Sequence, residues 1–384
     1  MKIIIASDSY KGSCSTLEVA IAIEKGIRKI DQKSEIIKIP VADGGEGTVE
    51  ALVLGTGGRY EEVEVLCPLG RKIKAKYGIL KGNTAVIEMA EASGLTRVNA
   101  DELNPRITTT YGTGQIIKAA MDKGCKKILI GIGGSATNDG GSGMAQALGA
   151  SLIDRDGKEI GYGGSELSRL YDIDIKNIDQ RIYQTEIIVM SDVANPLCGP
   201  SGASYIYGPQ KGATKVMVKE LDENLKHYSN VIKQKLGIDV EKIQGAGAAG
   251  GLGAGLIAFC NASLHSGIEK VLDVTDIDQH LIDADIVITG EGKIDNQSVY
   301  GKVPVGVAQR AAKYNVPVVA IVGSIGEGAS AVYDYGVDAI IAIVPKPMSL
   351  NMAMENGAKL IEQTAENVIR LLNLRKPFRN QRKV

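Results

Sequence analysis

The residues best suited to chemistry are carboxylates and lysines set beside glycine at the ends of short apolar runs. Ile3-Ile4-Ile5-Ala6 leads into Ser7-Asp8-Ser9-Tyr10-Lys11-Gly12-Ser13. Ile36-Ile37-Lys38-Ile39 leads into Ala42-Asp43-Gly44-Gly45-Glu46-Gly47-Thr48. Ile187-Ile188-Val189-Met190 gives Ser191-Asp192-Val193-Ala194-Asn195-Pro196-Leu197, and Ile286-Val287-Ile288 gives Thr289-Gly290-Glu291-Gly292-Lys293-Ile294-Asp295. Carboxylates suit a divalent cation or the proton of an attacking hydroxyl, lysines suit phosphate, and glycine lets backbone approach a ligand. That is the inventory of metal-assisted phosphoryl transfer.

Each motif has its own chemistry. Ser9 and Lys11 lie between a strand and a helix N-terminus, where free N–H groups and a nearby ammonium attract an anion. Asp43 can hold a metal or a hydroxyl, and Gly44 and Gly45 allow close backbone approach. Gly131-Ile132-Gly133-Gly134-Ser135-Ala136 fits the G-x-G-x-x-A dinucleotide fingerprint, with Asp154 at the end of the next apolar run. It continues as Thr137-Asn138-Asp139-Gly140-Gly141, a polar pair that suits a metal–triphosphate better than a bare pyrophosphate. Gly245-Ala246-Gly247-Ala248-Ala249-Gly250 fits the same pattern, cheaply in a chain with 47 glycines. Asp192 and Asn195 are polar ligand candidates, and Lys211 in Gly208-Pro209-Gln210-Lys211-Gly212-Ala213 a phosphate contact. Glu291 and Asp295, followed by Gly301-Lys302, add a second carboxylate pair and another cation near a helix start. There is no G-x-x-x-x-G-K-[ST], H-R-D or D-F-G, which excludes a P-loop enzyme and a protein kinase. Cys198 reads as a small filler and the three His are scattered, so neither a thiol nucleophile nor a His-ligated metal is expected.

The elements that must position these residues follow from periodicity. The apolar runs read as buried parallel strands, whose carboxyl ends form the ligand rim of an open α/β sheet. Ser15 and Glu18 form a capping box before a helix with Val19, Ile23, Ile27 and Ile30 on one face. From Tyr60 to Leu95 the pattern alternates, predicting antiparallel strands with one wet face. A helix is expected near 111–123, a strand at 127–132 and an amphipathic helix over 214–236. Strands at 284–289, 317–322 and 338–344 and a helix near 353–373 restore the doubly wound pattern. The expected fold is a flavodoxin/Rossmann-like doubly wound parallel sheet built from both chain ends (1–60 plus 265–384). A second α/β domain with mixed or antiparallel strands is inserted at 61–264, and the ligand site is expected in the cleft between the two.

The composition excludes other classes. The net charge of −1 gives no case for nucleic acid or an anionic membrane. No 18-residue apolar run is present, and the strand-like start of the sequence reads as no signal peptide, so neither a membrane span nor secretion is expected. Five widely spaced Cys without a Cys-x-x-Cys fit a reduced, cytoplasmic protein. The basic tail, Arg375-Lys376 through Arg379, Arg382 and Lys383, reads as a solvated terminus. The oligomeric state, including a homo-oligomer, stays open.

Seven motifs, taken in order, resemble the bacterial type I glycerate kinases. They are Ser7–Ser13, Ala42–Thr48, Gly133–Gly141, Ser191–Leu197, Gly208–Ala213, Gly247–Gly253 and Thr289–Asp295. The chain departs at Tyr10, where Phe is expected, and at Ser298, where Thr is expected. The resemblance implies ATP-dependent phosphorylation of D-glycerate at the 2-hydroxyl with Mg²⁺. The resemblance does not supply the base; from the residues themselves it is expected to be one of Asp43, Asp192 and Asp295, with Asp192 preferred, and the same three, with Glu291 beside them, are the candidate Mg²⁺ ligands. Lys11 joins them as a catalytic cation. Gly133, Gly134, Ser135, Asn138, Asp139, Lys211 and Lys302 are assigned to the nucleotide, and Ser9, Gly44, Gly45, Asn195 and Glu291 to glycerate. The alternatives are an NAD(P)-dependent oxidoreductase using the Gly131–Ala136 turn and a non-catalytic organic-acid-binding protein.

Overall fold

A computed structural model describes residues 1–374, so the basic tail lies outside the described residues. The strands are β1 (Lys2–Ile5), β2 (Glu35–Lys38), β3 (Arg59–Leu66), β4 (Lys72–Leu80), β5 (Thr84–Glu88) and β6 (Lys127–Gly131). They continue as β7 (Ser151–Ile153), β8 (Asp172–Asp174), β9 (Glu186–Met190), β10 (Ser263–His265), β11 (Ile286–Ile294), β12 (Val318–Ile325) and β13 (Ala339–Ala342). The chain divides into two compact units. Unit one comprises Met1–Asp43, Glu50–Gly55 and the chain from Ile268 on; unit two comprises Gly44–Val49 and Thr56–Gly267. No helix among the described residues is long and apolar enough to cross a membrane.

Unit one carries a wholly parallel sheet ordered β2-β1-β11-β12-β13. Counted within the unit this is second, first, third, fourth, fifth: the flavodoxin-like order, with strand order reversing between β1 and β11. Its core is mainly aliphatic, in keeping with a chain that has no Trp and two Phe, with Ile3, Ile5, Ile23, Ile27, Ile288, Ile321, Ile361 and Ile369 buried together. The expected capping box forms at Ser15 and Glu18 and opens the helix Thr16–Arg28. That helix packs on Gly357–Asn373 at Gly26, where a Cβ would lie 2.3 Å from Glu362 O.

Three details differ from the sequence reading. β2 is an edge strand with exposed ends, not a buried one, because it pairs on one side only. β11 runs on to Ile294, since its pairing with β12 continues from Gly290↔Ile321 to Ile294↔Ile325. Gly290 and Glu291 are therefore strand residues; a Cβ at Gly290 would sit 2.0 Å from Ile321 O. The closing helix is broken at Asn356 into Leu350–Glu355 and Gly357–Asn373. At the break Ser13 Oγ donates to Met354 O at 2.6 Å and fills the space a side chain at 357 would need.

Unit two is built on a mixed sheet ordered β10-β9-β6-β5-β4-β3. The alternating stretch forms the antiparallel part: β3 pairs β4 and β4 pairs β5. Its wet face shows the cross-strand charge pairing that alternation predicts, with Lys72 Nζ 2.8 Å from Glu64. β5, β6, β9 and β10 then run parallel, with Glu88 beside Gly131 and Gly131 beside Met190 in register. The helices Tyr111–Asp122 and Lys215–Leu236 form where expected. β7 and β8 make a separate two-stranded hairpin.

Candidate functional site

In unit one the carboxylates collect where the strand order reverses, between β1 and β11, the usual ligand position in such sheets. Asp8 leaves β1 with its N–H donating to Gly290 O at 2.9 Å, and its Oδ1 accepts the Ser9 N–H at 2.7 Å. Burial pushes the Asp8 carboxyl up to about 8; the Asp43 and Glu291 charges add to this and the Ser9 N–H opposes it. Glu291 is only 6% exposed. Its Oε1 accepts from Ser298 Oγ at 2.6 Å and its Oε2 pairs with Lys302 Nζ at 3.1 Å. Burial raises its carboxyl, and these two partners hold the rise back. Tyr10 donates its hydroxyl to Ile321 O at 2.6 Å, tying the Ser7–Ser13 turn to β12, which a Phe could not do. Ser298 needs only the hydroxyl that Thr would also supply.

Thus Ser9, Asp43, Glu291 and Lys302 gather around Asp8. Lys11, on the same turn, is exposed, its backbone passing Gly292. Asp295 stands at the edge of this group: its charge raises the Glu291 carboxyl, and Lys302 acts on it in turn. Lys293 Nζ lies 2.9 Å from it and the Gln297 N–H donates to it at 3.0 Å, which together hold its carboxyl below the usual range. Among the described residues no group of three His, Cys, Asp or Glu is placed to hold a metal ion alone.

Unit two has its own rim, at the carboxyl ends of β5, β6 and β9. The Gly44–Val49 turn lies on it. A Cβ on Gly131 would sit 2.3 Å from Gly44 O, and one on Gly44 would meet Met190 Cβ at 3.0 Å and Gly267 Cα at 3.1 Å. Only glycine at these positions lets the turn come so close to the strand ends. A Cβ on Gly133 would meet Gly45 Cα at 3.2 Å, so the Gly133–Gly134 turn lies alongside. Asp192 follows β9, half-buried, with its Oδ1 accepting the Gly267 N–H at 3.1 Å. Gly44, Gly45, Gly133 and Asp192 are therefore brought together.

Other expected contacts are not. Gly133 and Gly134 are exposed, but Ser135, Asn138, Asp139 and Lys211 are buried beneath them. Asp139 is 0% exposed and accepts from the Thr110 N–H and hydroxyl, both at 2.8 Å, and from the Gly141 and Gly143 N–H groups. Burial raises its carboxyl against these four donors. Lys211 is 1% exposed, donating to Ser135 Oγ at 2.7 Å and Thr137 O at 2.6 Å. Burial pulls its ammonium down to about 7, opposed by Asp139. Asn138 donates to Ser204 Oγ at 3.0 Å. These side chains hold the loop from within. Asn195 is likewise committed to its own loop, donating to Ser201 O at 2.8 Å and accepting from Tyr207 Oη at 2.7 Å.

The dinucleotide fingerprint is not met. No helix opens on Gly131–Ala136; the next one is Ser142–Ala147. Asp154 stands beside the β7–β8 hairpin rather than at the end of a neighbouring parallel strand, and it is held by Arg169 at 2.7 Å and by the Asp156 and Lys158 N–H groups. The second glycine match leads into Ala248–Cys260 through the left-handed residues Ala249, Gly250 and Gly251. There a Cβ on Gly250 would sit 2.0 Å from Thr137 O, so that glycine serves packing. Burial pushes the Cys198 thiol up to about 12, which keeps it protonated and filler-like.

Glu88 escaped the sequence reading of the site, although it sits at the end of a strand, the same signal that marked Asp43 and Asp192. Asp8 belongs to its motif and Ser298 marks a departure from the family, but the sequence alone gives neither a role; that of Ser298 depends on Glu291 being in the strand.

Comparison with known proteins agrees with the geometry. Residues 3–373 match the profile described as "Glycerate kinase family". A glycerate kinase from Halalkalibacterium halodurans is 52% identical over 95% of this chain and 97% of its own length. A glycerate 2-kinase from Escherichia coli is 51% identical over 96% of this chain and 97% of its own. A crystal structure of a protein assigned as glycerate kinase 2 from Salmonella typhimurium superposes with a TM-score of 0.89 at 49% identity, covering 97% of this chain and 98% of that one. With matches of this extent, the chain belongs to the glycerate kinase family, phosphotransferases that act on an alcohol group.

Proposed function

We propose that the chain transfers the γ-phosphoryl group of ATP to the 2-hydroxyl of D-glycerate, giving 2-phospho-D-glycerate and ADP, with Mg²⁺. One observation carries the reading: the half-buried Asp192 carboxylate stands on the same strand-end rim as the glycine-rich Gly44–Gly45 turn. The turn's N–H groups suit the carboxylate of glycerate, and Asp192 suits the proton of its 2-hydroxyl. The hydroxyl oxygen attacks the γ-phosphorus, its proton passes to Asp192, and the bond from the γ-phosphorus to the bridging oxygen breaks, with that electron pair leaving on ADP. The relative from Escherichia coli named as a 2-kinase supports the 2-position.

In unit one, Lys11 and Lys302 are assigned to the phosphates. Asp43 fits Mg²⁺, because its charge and that of Glu291 both act against ionisation of the buried Asp8 carboxyl, and a bound cation relieves that repulsion. Mg²⁺ needs only one or two protein carboxylates when phosphates complete its shell. When bound it neutralises charge on the triphosphate. Catalysis then rests on positioning and on electrostatics. The unpaired cysteines suit a reducing cytoplasm as the place of work.

The test is a coupled ADP-release assay with D-glycerate against other hydroxy acids, followed by phosphorus NMR of the product. Turnover with D-glycerate and a 2-phosphate signal are expected. Asp192→Asn should lose about 10²–10³ in kcat while staying folded. A folded variant that keeps more than about a tenth of wild-type turnover removes Asp192 as the base, because a lost base costs at least roughly a hundredfold.

A further inference from the structure

The Gly44–Val49 turn leads into the helix Thr48–Thr56. Gly47 has no side chain, and the Thr48 Oγ1 is buried without a hydrogen-bond partner. The first N–H groups of a helix need acceptors from outside it. Here the acceptor comes from a strand 39 residues away in sequence: Glu88 Oε1 accepts the Val49 N–H at 2.8 Å. The Gly47 N–H donates to the same carboxylate. Glu88 is the register partner of Gly131, and Gly131 lies under Gly44. The turn is therefore pinned at both ends to one rim, by glycine contact on β6 and by a carboxylate on β5.

We propose that Glu88 is a positioning residue for glycerate, holding the Gly44–Val49 turn in the shape in which its backbone N–H groups meet the substrate carboxylate. The inference rests on the reading that this turn binds glycerate. Glu88 acts only through the turn, since its carboxylate is engaged by the turn's own N–H groups.

The charged groups acting on Glu88 are both acidic: Glu46 on the turn and Glu91 on the segment after β5. Glu91 is itself paired with Arg97 at 2.9 Å. Burial, with these two acids adding to it, pushes the Glu88 carboxyl up to about 7. A charged acceptor holds N–H groups more tightly than a neutral one. The grip on the turn therefore tightens as pH rises through neutrality.

The experiment measures kcat and KM for D-glycerate and for ATP in wild type, Glu88→Gln, Glu88→Ala and Val49→Pro, from pH 6 to 8.5. Proline is tolerated in the first turn of a helix, so Val49→Pro removes the donor from the other side of the same bond. Glu88→Ala and Val49→Pro should each raise the glycerate KM about tenfold, the worth of a charge-assisted hydrogen bond. The ATP KM should stay within about twofold, because an unperturbed interaction changes little. Glu88→Gln, which keeps an acceptor oxygen, should recover part of the loss and flatten the pH dependence of the glycerate KM. The double variant should be no worse than either single one. A folded Glu88→Ala with unchanged glycerate KM, or equal rises in both KM values, overturns the proposal; if that variant does not fold, Val49→Pro and Glu88→Gln decide by the same criteria. A wild-type chain that phosphorylates a different hydroxy acid defeats the functional reading instead, and the Glu88 comparison is then made on that acid.

Discussion

At the residue scale, burial decides between supporting a ligand and touching it. Lys211 lies between glycines in a proline-marked loop and reads in sequence as a phosphate contact. Its ammonium is instead inside, shared between Ser135 Oγ and Thr137 O. Replacing it by methionine keeps the bulk but leaves both acceptors without their donor, at a cost of about 2–4 kcal/mol. Urea unfolding of Lys211→Met at pH 7 should show a lower midpoint with an unchanged slope. A direct phosphate contact would instead leave stability intact and raise only the ATP KM. The linkage sign gives a second readout. The folded lysine titrates near 7 and a free one near 10.5, so above pH 7 the unfolded chain binds the extra proton. This one group thus makes wild type more stable as pH rises from 7 toward 10.5, and the variant should lack that gain.

At the scale of elements, the sequence was most readable where periodicity acts alone. The capping box at Ser15 and Glu18, the antiparallel β3–β4–β5 stretch and the helix Lys215–Leu236 are local patterns, and local energetics settle them. The errors came where a partner elsewhere in the chain sets the outcome. β11 is lengthened by β12, β2 is exposed because nothing pairs on its far side, and the last helix breaks where Ser13 takes the space at Gly357. The same reasoning locates a weak point. The helices Thr16–Arg28 and Gly357–Asn373 approach so closely at Gly26 that a Cβ would lie 2.3 Å from Glu362 O and 2.8 Å from Ala365 Cβ. The exposed Lys29–Glu362 pair beside it contributes little to the packing. Gly26→Ala gains roughly 1 kcal/mol of helix propensity. Overpacking costs about 1–3 kcal/mol, so the variant should be destabilised overall in urea unfolding. A stabilised Gly26→Ala would show that the two helices can separate freely.

At the scale of the whole molecule, the change from apolar runs to alternation near residue 60, and back again after 267, made the architecture legible: a parallel sheet from both chain ends and an inserted mixed sheet. The candidate site was legible only in part. Strand-end position found Asp43 and Asp192 but passed over Glu88, and the glycine-rich turns that marked Asp139 and Lys211 say nothing of depth; both side chains are buried. Glu88 also bears on the stability of the entire chain. Its carboxyl titrates near 7 when folded against 4.5 ordinarily. Between those values the folded chain holds a proton the unfolded chain has shed, so stability falls as pH rises from 4.5 to 7. Over the full window the shift corresponds to about 3 kcal/mol. Above pH 7 the ionised carboxylate carries that burden while it grips the turn most firmly, so stability is given up for position. Glu88→Gln removes the titration and keeps the size. In urea unfolding at pH 5, 6, 7 and 8, the stability of the variant relative to wild type should climb by up to about 3 kcal/mol and level off above pH 7. Other titrating groups are common to both proteins and cancel in the difference. A difference that stays flat across this range would mean that the Glu88 carboxylate ionises freely and is not held against its burial.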